Sequence, residues 1–128
     1  MDTTIRCKNC ISFKSGTPPL TDNREDELLK QTPTWSIGRT NGTHRLIKNF
    51  DLNSFIEAIG FFKTIAIVAE EENHHPFMSI DYRTVSIELS TKSVRGLSEN
   101  DFIMAAKIDN IYSMVTEPMI GILESAML

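Results

Sequence analysis

The sequence predicts an α+β domain: a four-stranded, mainly antiparallel sheet with three helices packed on one face. Three observations lead there. Apolar residues recur with helical period in three stretches and with period two in four, in the order helix, two strands, long helix, two strands, helix. Each pair of strands is separated by a short polar turn, which suits antiparallel neighbours. Helices and strands do not alternate singly, as the crossovers of a parallel sheet require. With 41% apolar and 23% charged residues in 128, the chain has enough apolar material for one core without disulfide or metal staples.

Residues 1–19, which contain Gly16 and Pro18-Pro19, show no sustained period and read as an N-terminal arm before a domain spanning residues 20–115. Thr21 or Asp22 caps a helix that runs through Glu25, Leu28 and Leu29 to about Gln31, with acids in its first turn and Pro33 ending it. Trp35 and Ile37 alternate with polar neighbours, Asn41-Gly42 supplies a turn that tolerates positive φ, and a second strand runs through Leu46 to Phe50. Trp35 is expected to anchor the core and His44 to lie on the hairpin surface.

From Asp51 the period turns helical: Leu52, Phe55, Ile56, Ile59, Phe62, Ala66 and Ala69 recur at three and four, to about Glu72. Phe61, Ile65, Ile67 and Val68 carry the apolar surface most of the way round, so this helix is predicted to be covered by its own sheet and by another subunit. After Pro76, Met78, Ile80 and Tyr82 alternate with polar residues, as do Val85, Ile87 and Leu89, with a bend near Arg83-Thr84. Lys92 to Gly96 is a loop. Ser98 with Asp101 three positions later forms a capping box for a third helix through Tyr112, and residues 116–128 form an apolar tail.

The chemistry concentrates in Glu70-Glu71-Glu72-Asn73-His74-His75-Pro76, which holds two of the three histidines. Adjacent side chains diverge, but a backbone turn at Pro76 lets both imidazoles line a cleft, where groups titrating near neutrality can move protons. The same run also fits a solvated helix end whose histidines offset the helix dipole. A net charge of −4 without clustered Lys and Arg argues against a nucleic-acid footprint, and no apolar run approaches the roughly 20 residues that span a membrane. Met1 to Cys10 lacks the apolar core of a secretory signal, so a cytoplasmic location is expected. Cys7 and Cys10 form one C-x-x-C with no second pair to complete a zinc site, and read as free thiols in the arm; no metal is expected.

From Glu70 to Asp101 the sequence resembles the pterin-4a-carbinolamine dehydratase family, also called 4a-hydroxytetrahydrobiopterin dehydratases. Glu70, His74, His75, Pro76, Tyr82 and Asp101 fall at the spacings of that family's signature. The stretch GLSENDFIMAAKID is similar to its final loop and helix, and Trp35 also fits, so the likeness covers roughly residues 20 to 113. One position departs: the family expects a histidine in the loop after the last strand, and here the residues are Thr91-Lys92, with Ser93 and Arg95 also replacing residues common in that loop.

The resemblance implies a dehydratase that expels the hydroxyl of a 4a-hydroxytetrahydropterin as water to give quinonoid dihydropterin, in support of tetrahydrobiopterin recycling for aromatic amino-acid hydroxylation. One group takes a proton from the ring nitrogen and another protonates the leaving hydroxyl, each typically contributing about 10²–10⁴-fold. It implies His74 as principal acid or base and His75 as the residue that binds and orients the pterin. Pro76 lies beside them in the substrate site, Asp101 completes the pocket, and Glu70 holds a histidine in its useful tautomer. Lys92, with an ordinary pKa of about 10.4, can donate a proton but is a poor base, so activity is expected to be reduced unless Lys92 points to solvent. The pterin is the substrate and no cofactor is implied. A homodimer or homotetramer is the expected assembly, and a non-catalytic pterin-binding or protein-interaction module of the same fold is the alternative.

Overall fold

The structure, a computed structural model, describes Ile5, residues 8–40 and residues 42–116. Cys7, Asn41 of the expected turn and residues 117–128 of the tail lie outside the described residues. The elements follow the expected order: α1 (Asp22–Leu29), β1 (Ser36–Gly38), β2 (Arg45–Asp51), α2 (Phe55–Glu72), β3 (Phe77–Asp81), β4 (Thr84–Leu89) and α3 (Glu99–Thr116). The four strands form one sheet in the order β1-β2-β4-β3, antiparallel at every pairing. No helix among the described residues is long and apolar enough to cross a membrane.

Thr21 caps α1, its hydroxyl accepting from the Arg24 N–H at 3.2 Å. α2 begins later than the apolar period suggests. β2 continues to Asp51, which pairs with Thr84, and Ser54 and Glu57 then close a capping box. Ser54 accepts from the Glu57 N–H and Glu57 accepts from the Asn53 N–H, both at 3.1 Å. Leu52 therefore sits in the connection, buried, outside the helix. The second hairpin also differs at its tip. Asp81 pairs with Thr84, leaving Tyr82-Arg83 as a two-residue turn, and Tyr82 takes φ 57 with 68% of its surface exposed. Such a turn needs positive φ, and that requirement takes Tyr82 off the apolar row of β3.

The sheet buries Leu46, Phe50, Val85, Ile87 and Leu89 beneath Ala58, Phe61, Ile65 and Ala69 of α2 and Phe102, Ile103 and Ile108 of α3. Trp35 is buried as expected, its ring edge-on to Phe50 at 5.8 Å, and its indole N–H is shared between the Asp109 carboxylate oxygens at 3.0 and 3.1 Å. Lys48 lies on this inner face, its ammonium 2.8 Å from Asp109 and 4.5 Å from the Phe50 ring centroid.

His44 corrects the surface expectation. Its Nδ1 is 2.7 Å from Oε2 of the fully buried Glu25, whose Oε1 accepts from Arg39 at 3.0 Å, so the first hairpin is pinned to α1. Asp22, Glu25 and His44 each place one ligating atom within 4.8 Å of the others, but both Glu25 oxygens are already engaged. The sheet covers one side of α2, while Ile56 and Ile67 on the other side remain 77% and 51% exposed.

Candidate active site

α2 ends on Asn73, whose left-handed conformation (φ 53, ψ 41) reverses the chain. The His74 N–H returns to the Ala69 carbonyl at 3.1 Å, closing the helix end in a Schellman arrangement. That reversal separates the adjacent histidines: His74 turns inward and is buried, while His75 stays exposed. Each finds a carboxylate. His75 Nε2 lies 2.5 Å from Glu70 Oε1 one turn back on α2, and His74 Nε2 lies 2.7 Å from Asp101 Oδ1 in the first turn of α3.

Asp101 has no solvent exposure and its carboxylate is fully engaged. Oδ2 accepts from the Ser98 N–H at 2.9 Å and the Thr91 hydroxyl at 2.8 Å, and Oδ1 faces His74. Because Thr91 gives its proton to Asp101, the 2.6 Å contact between Thr91 and Ser98 must be donated by Ser98, whose oxygen in turn accepts from the Asn100 N–H. An ionised carboxylate accepts only, so the proton between Asp101 and His74 sits on Nε2. Nδ1 then carries the lone pair, and it has no hydrogen-bond partner among the described residues. The arrangement is that of an imidazole base held in one tautomer by a carboxylate behind it.

The loop after β4 closes through Thr91 and Gly96, with Lys92–Val94 as a 3₁₀ turn and Arg95 left-handed at φ 56. Lys92 is exposed there, and its ammonium forms no ion pair or hydrogen bond among the described residues. His74, His75 and Lys92 line one cleft of about 480 Å³, within the range of small-molecule sites. Asp101 stands behind His74 rather than on the cleft wall, and Glu70 and Pro76 lie outside the lining. Glu70, expected to hold a histidine in its useful tautomer, serves the exposed His75, and Asp101, expected to complete the pocket, is the carboxylate that pairs with the buried His74.

The sequence reading missed two parts of the site. Thr91 and Ser98 orient the Asp101 carboxylate, and only the capping role of Ser98 is visible in the sequence. The arm is the other: Cys10, Ile11, Ser12 and Phe13 line the same cleft. The Cys10 N–H donates to Glu72 at 2.7 Å, and burial, reinforced by the Glu72 charge, pushes the Cys10 thiol up to about 12. It is therefore a neutral thiol near pH 7 and a poor nucleophile.

The family described as pterin 4 alpha carbinolamine dehydratase matches residues 18–111. A protein of Chlorobium luteolum carrying the provisional name pterin-4-alpha-carbinolamine dehydratase is 39% identical over 103 residues, covering 80% of this chain and 90% of its own length. One of Saccharophagus degradans with the same provisional name is 35% identical, covering 82% and 93%. Among solved structures, a transcriptional coactivator/pterin dehydratase from Brucella melitensis aligns with TM-score 0.68 and 31% identity, over 73% of this chain and 98% of that one. A pterin dehydratase-like protein described as a RuBisCO assembly factor in the alpha-carboxysome shares the fold, with TM-score 0.54 and 22% identity over 62% and 89%.

Proposed function

The chain belongs to the pterin 4 alpha carbinolamine dehydratase family, and from that membership we propose that it eliminates water from a 4a-hydroxytetrahydropterin, giving quinonoid dihydropterin and supporting tetrahydrobiopterin recycling for aromatic amino-acid hydroxylation. The observation that carries the reading is the buried His74–Asp101 pair, which leaves one imidazole nitrogen unengaged in a cleft of suitable size.

In the proposed reaction His74 Nδ1 takes the proton from the pterin ring nitrogen, and the nitrogen's electrons form the C=N bond as the adjacent C–O bond breaks. The hydroxyl leaves as water with a proton from an acid. Lys92, whose exposed side chain lines the same cleft and whose ammonium carries only donors, is the acid available there. His75 binds and orients the pterin, and Asp101 stabilises the imidazolium that forms on His74. No electrons are exchanged with an outside partner, so the elimination calls for no redox cofactor, and the assembly proposed for the working enzyme is a homodimer or homotetramer.

Lys92 also supports a second reading. A lysine where the family expects histidine suits a pterin-binding or protein-interaction module that has lost rapid turnover. The two part on one experiment, the rate of water loss from freshly generated 4a-hydroxytetrahydropterin with wild type and His74→Ala. Acceleration by wild type that disappears in the alanine variant supports the dehydratase. A folded wild type that binds a pterin yet leaves the rate at background overturns it in favour of the module.

A further inference from the structure

The segment Cys10–Phe13 spans the gap between the end of α2 and the start of α3, the two places that carry His74 and Asp101. Ile11 and Ser12 are exposed, while Cys10 packs against the core with its thiol 3.7 Å from the Asn100 carbonyl oxygen. Behind it lies a second cavity of about 550 Å³, lined by Ile11, Phe13, Leu20, Val94 and Leu97, so the segment is a thin partition between two spaces rather than a packed layer. Hydrogen bonds to its backbone fix its position. The Asn100 side-chain amide pairs with Ile11 as a strand neighbour would: Oδ1 accepts from the Ile11 N–H at 2.9 Å and Nδ2 donates to the Ile11 carbonyl at 2.6 Å. Glu72 takes the Cys10 N–H, and Lys8 reaches Glu99 at 2.8 Å. Farther along, Gly16 N–H donates to the Ser93 carbonyl, and Gly96 lets Pro19 approach where an added Cβ would stand 2.9 Å from the proline Cβ.

We infer that Cys10–Phe13 is a wall of the pterin site and that Asn100, through its two bonds to Ile11, is the positioning residue that sets this wall. The inference rests on the reading of the cleft as a pterin site and adds to it a determinant of substrate affinity contributed from the first residues of the chain. A planar pterin placed against the histidines is exposed on its other side unless the arm is there, and half-buried Phe13 supplies an aromatic surface for that side.

The test measures the dissociation constant of a stable pterin analogue, 7,8-dihydrobiopterin, by calorimetry on the full chain, with steady-state dehydration beside it. Asn100→Ala is expected to weaken binding about tenfold, with KM rising by more than kcat falls. Ile11→Pro removes the N–H donor and fixes φ at a position whose side chain is exposed, and provides the same reading should the buried Asn100 variant fail to fold. The two variants binding as tightly as wild type, even with lowered melting temperatures, would confine the arm to a stabilising role and overturn the inference alone. A folded wild type without affinity for the analogue would overturn the pterin site itself, and the inference with it.

Discussion

Replacing Asp101 by asparagine separates the role of the carboxylate's charge from the role of its shape. The amide can enter in only one orientation. Oδ2 meets the Ser98 N–H, a fixed donor, so the asparagine oxygen must stay on that side and its NH₂ must face His74. His74 Nε2 then has to accept, which moves the ring proton to Nδ1, the nitrogen proposed to take the substrate proton. The substitution thus removes a general base without removing a side chain, and kcat should fall about 10²–10⁴-fold. Stability should suffer far less. Thr91 and Ser98 keep their acceptor, and exchanging charge-assisted for neutral hydrogen bonds costs about 1–3 kcal/mol against a typical total of about 5–15. The assay is single-turnover water loss from the 4a-hydroxytetrahydropterin, paired with ¹⁵N NMR of His74. A folded Asp101→Asn protein with kcat within threefold of wild type, or with the proton still on Nε2, would refute the tautomer argument.

Lys92→His should raise turnover by giving the loop a group that titrates near neutrality and so passes a proton to the leaving hydroxyl more readily, and equal or lower turnover in the dehydration assay would show that the loop position does not limit the rate. The exposed face of α2 should mediate self-association. Light scattering is expected to report a dimer or tetramer that Ile56→Glu with Ile67→Glu reduces, and a monomeric wild type would remove this prediction. Cys10 gives a pH dependence. Its thiol is raised in the folded chain from an ordinary 9.0 to about 12, so the folded state keeps a proton that the unfolded state releases. The stability it confers is fully present below about pH 9 and declines as the pH rises toward 12. Urea midpoints at about pH 8 and pH 10.5 should therefore converge on those of Cys10→Ala as the pH rises, and parallel midpoints would count against the burial of the thiol.

Much of the fold was legible because periodicity and burial report the same physics. Leu46 to Phe50 and Val85 to Leu89 face the core as their alternation requires, and Trp35 is buried with its indole satisfied. Failures came where local chemistry overrode the pattern. Leu52 continues a helical period, but Ser54 and Glu57 cap the helix after it. Tyr82 continues an alternation, but the two-residue turn claims it. In the site, His74, His75 and Lys92 were visible as residues able to move protons, and the structure brings them to one cleft. Which carboxylate serves which histidine was not visible, because the left-handed Asn73 decides that by turning the two rings to opposite sides. Nor was the arm, since Cys10 and Ile11 are held through their backbones, and backbone hydrogen bonds to distant side chains leave no periodic trace in a sequence.

The clamp on Ile11 has a consequence for how the protein comes to be assembled. Ile11 and Asn100 are 89 residues apart, so during synthesis the arm leaves the ribosome long before the residue that fixes it exists. Closing so long a loop is slow to repay its entropy, and local hairpins and helices form first. The cleft is thus completed by two segments far apart in sequence, with Cys10 and Ile11 docking onto α3. A nascent chain stopped before α3 lacks Asp101 and Asn100 together, so neither the carboxylate behind His74 nor the clamp for the arm is available until α3 has been made.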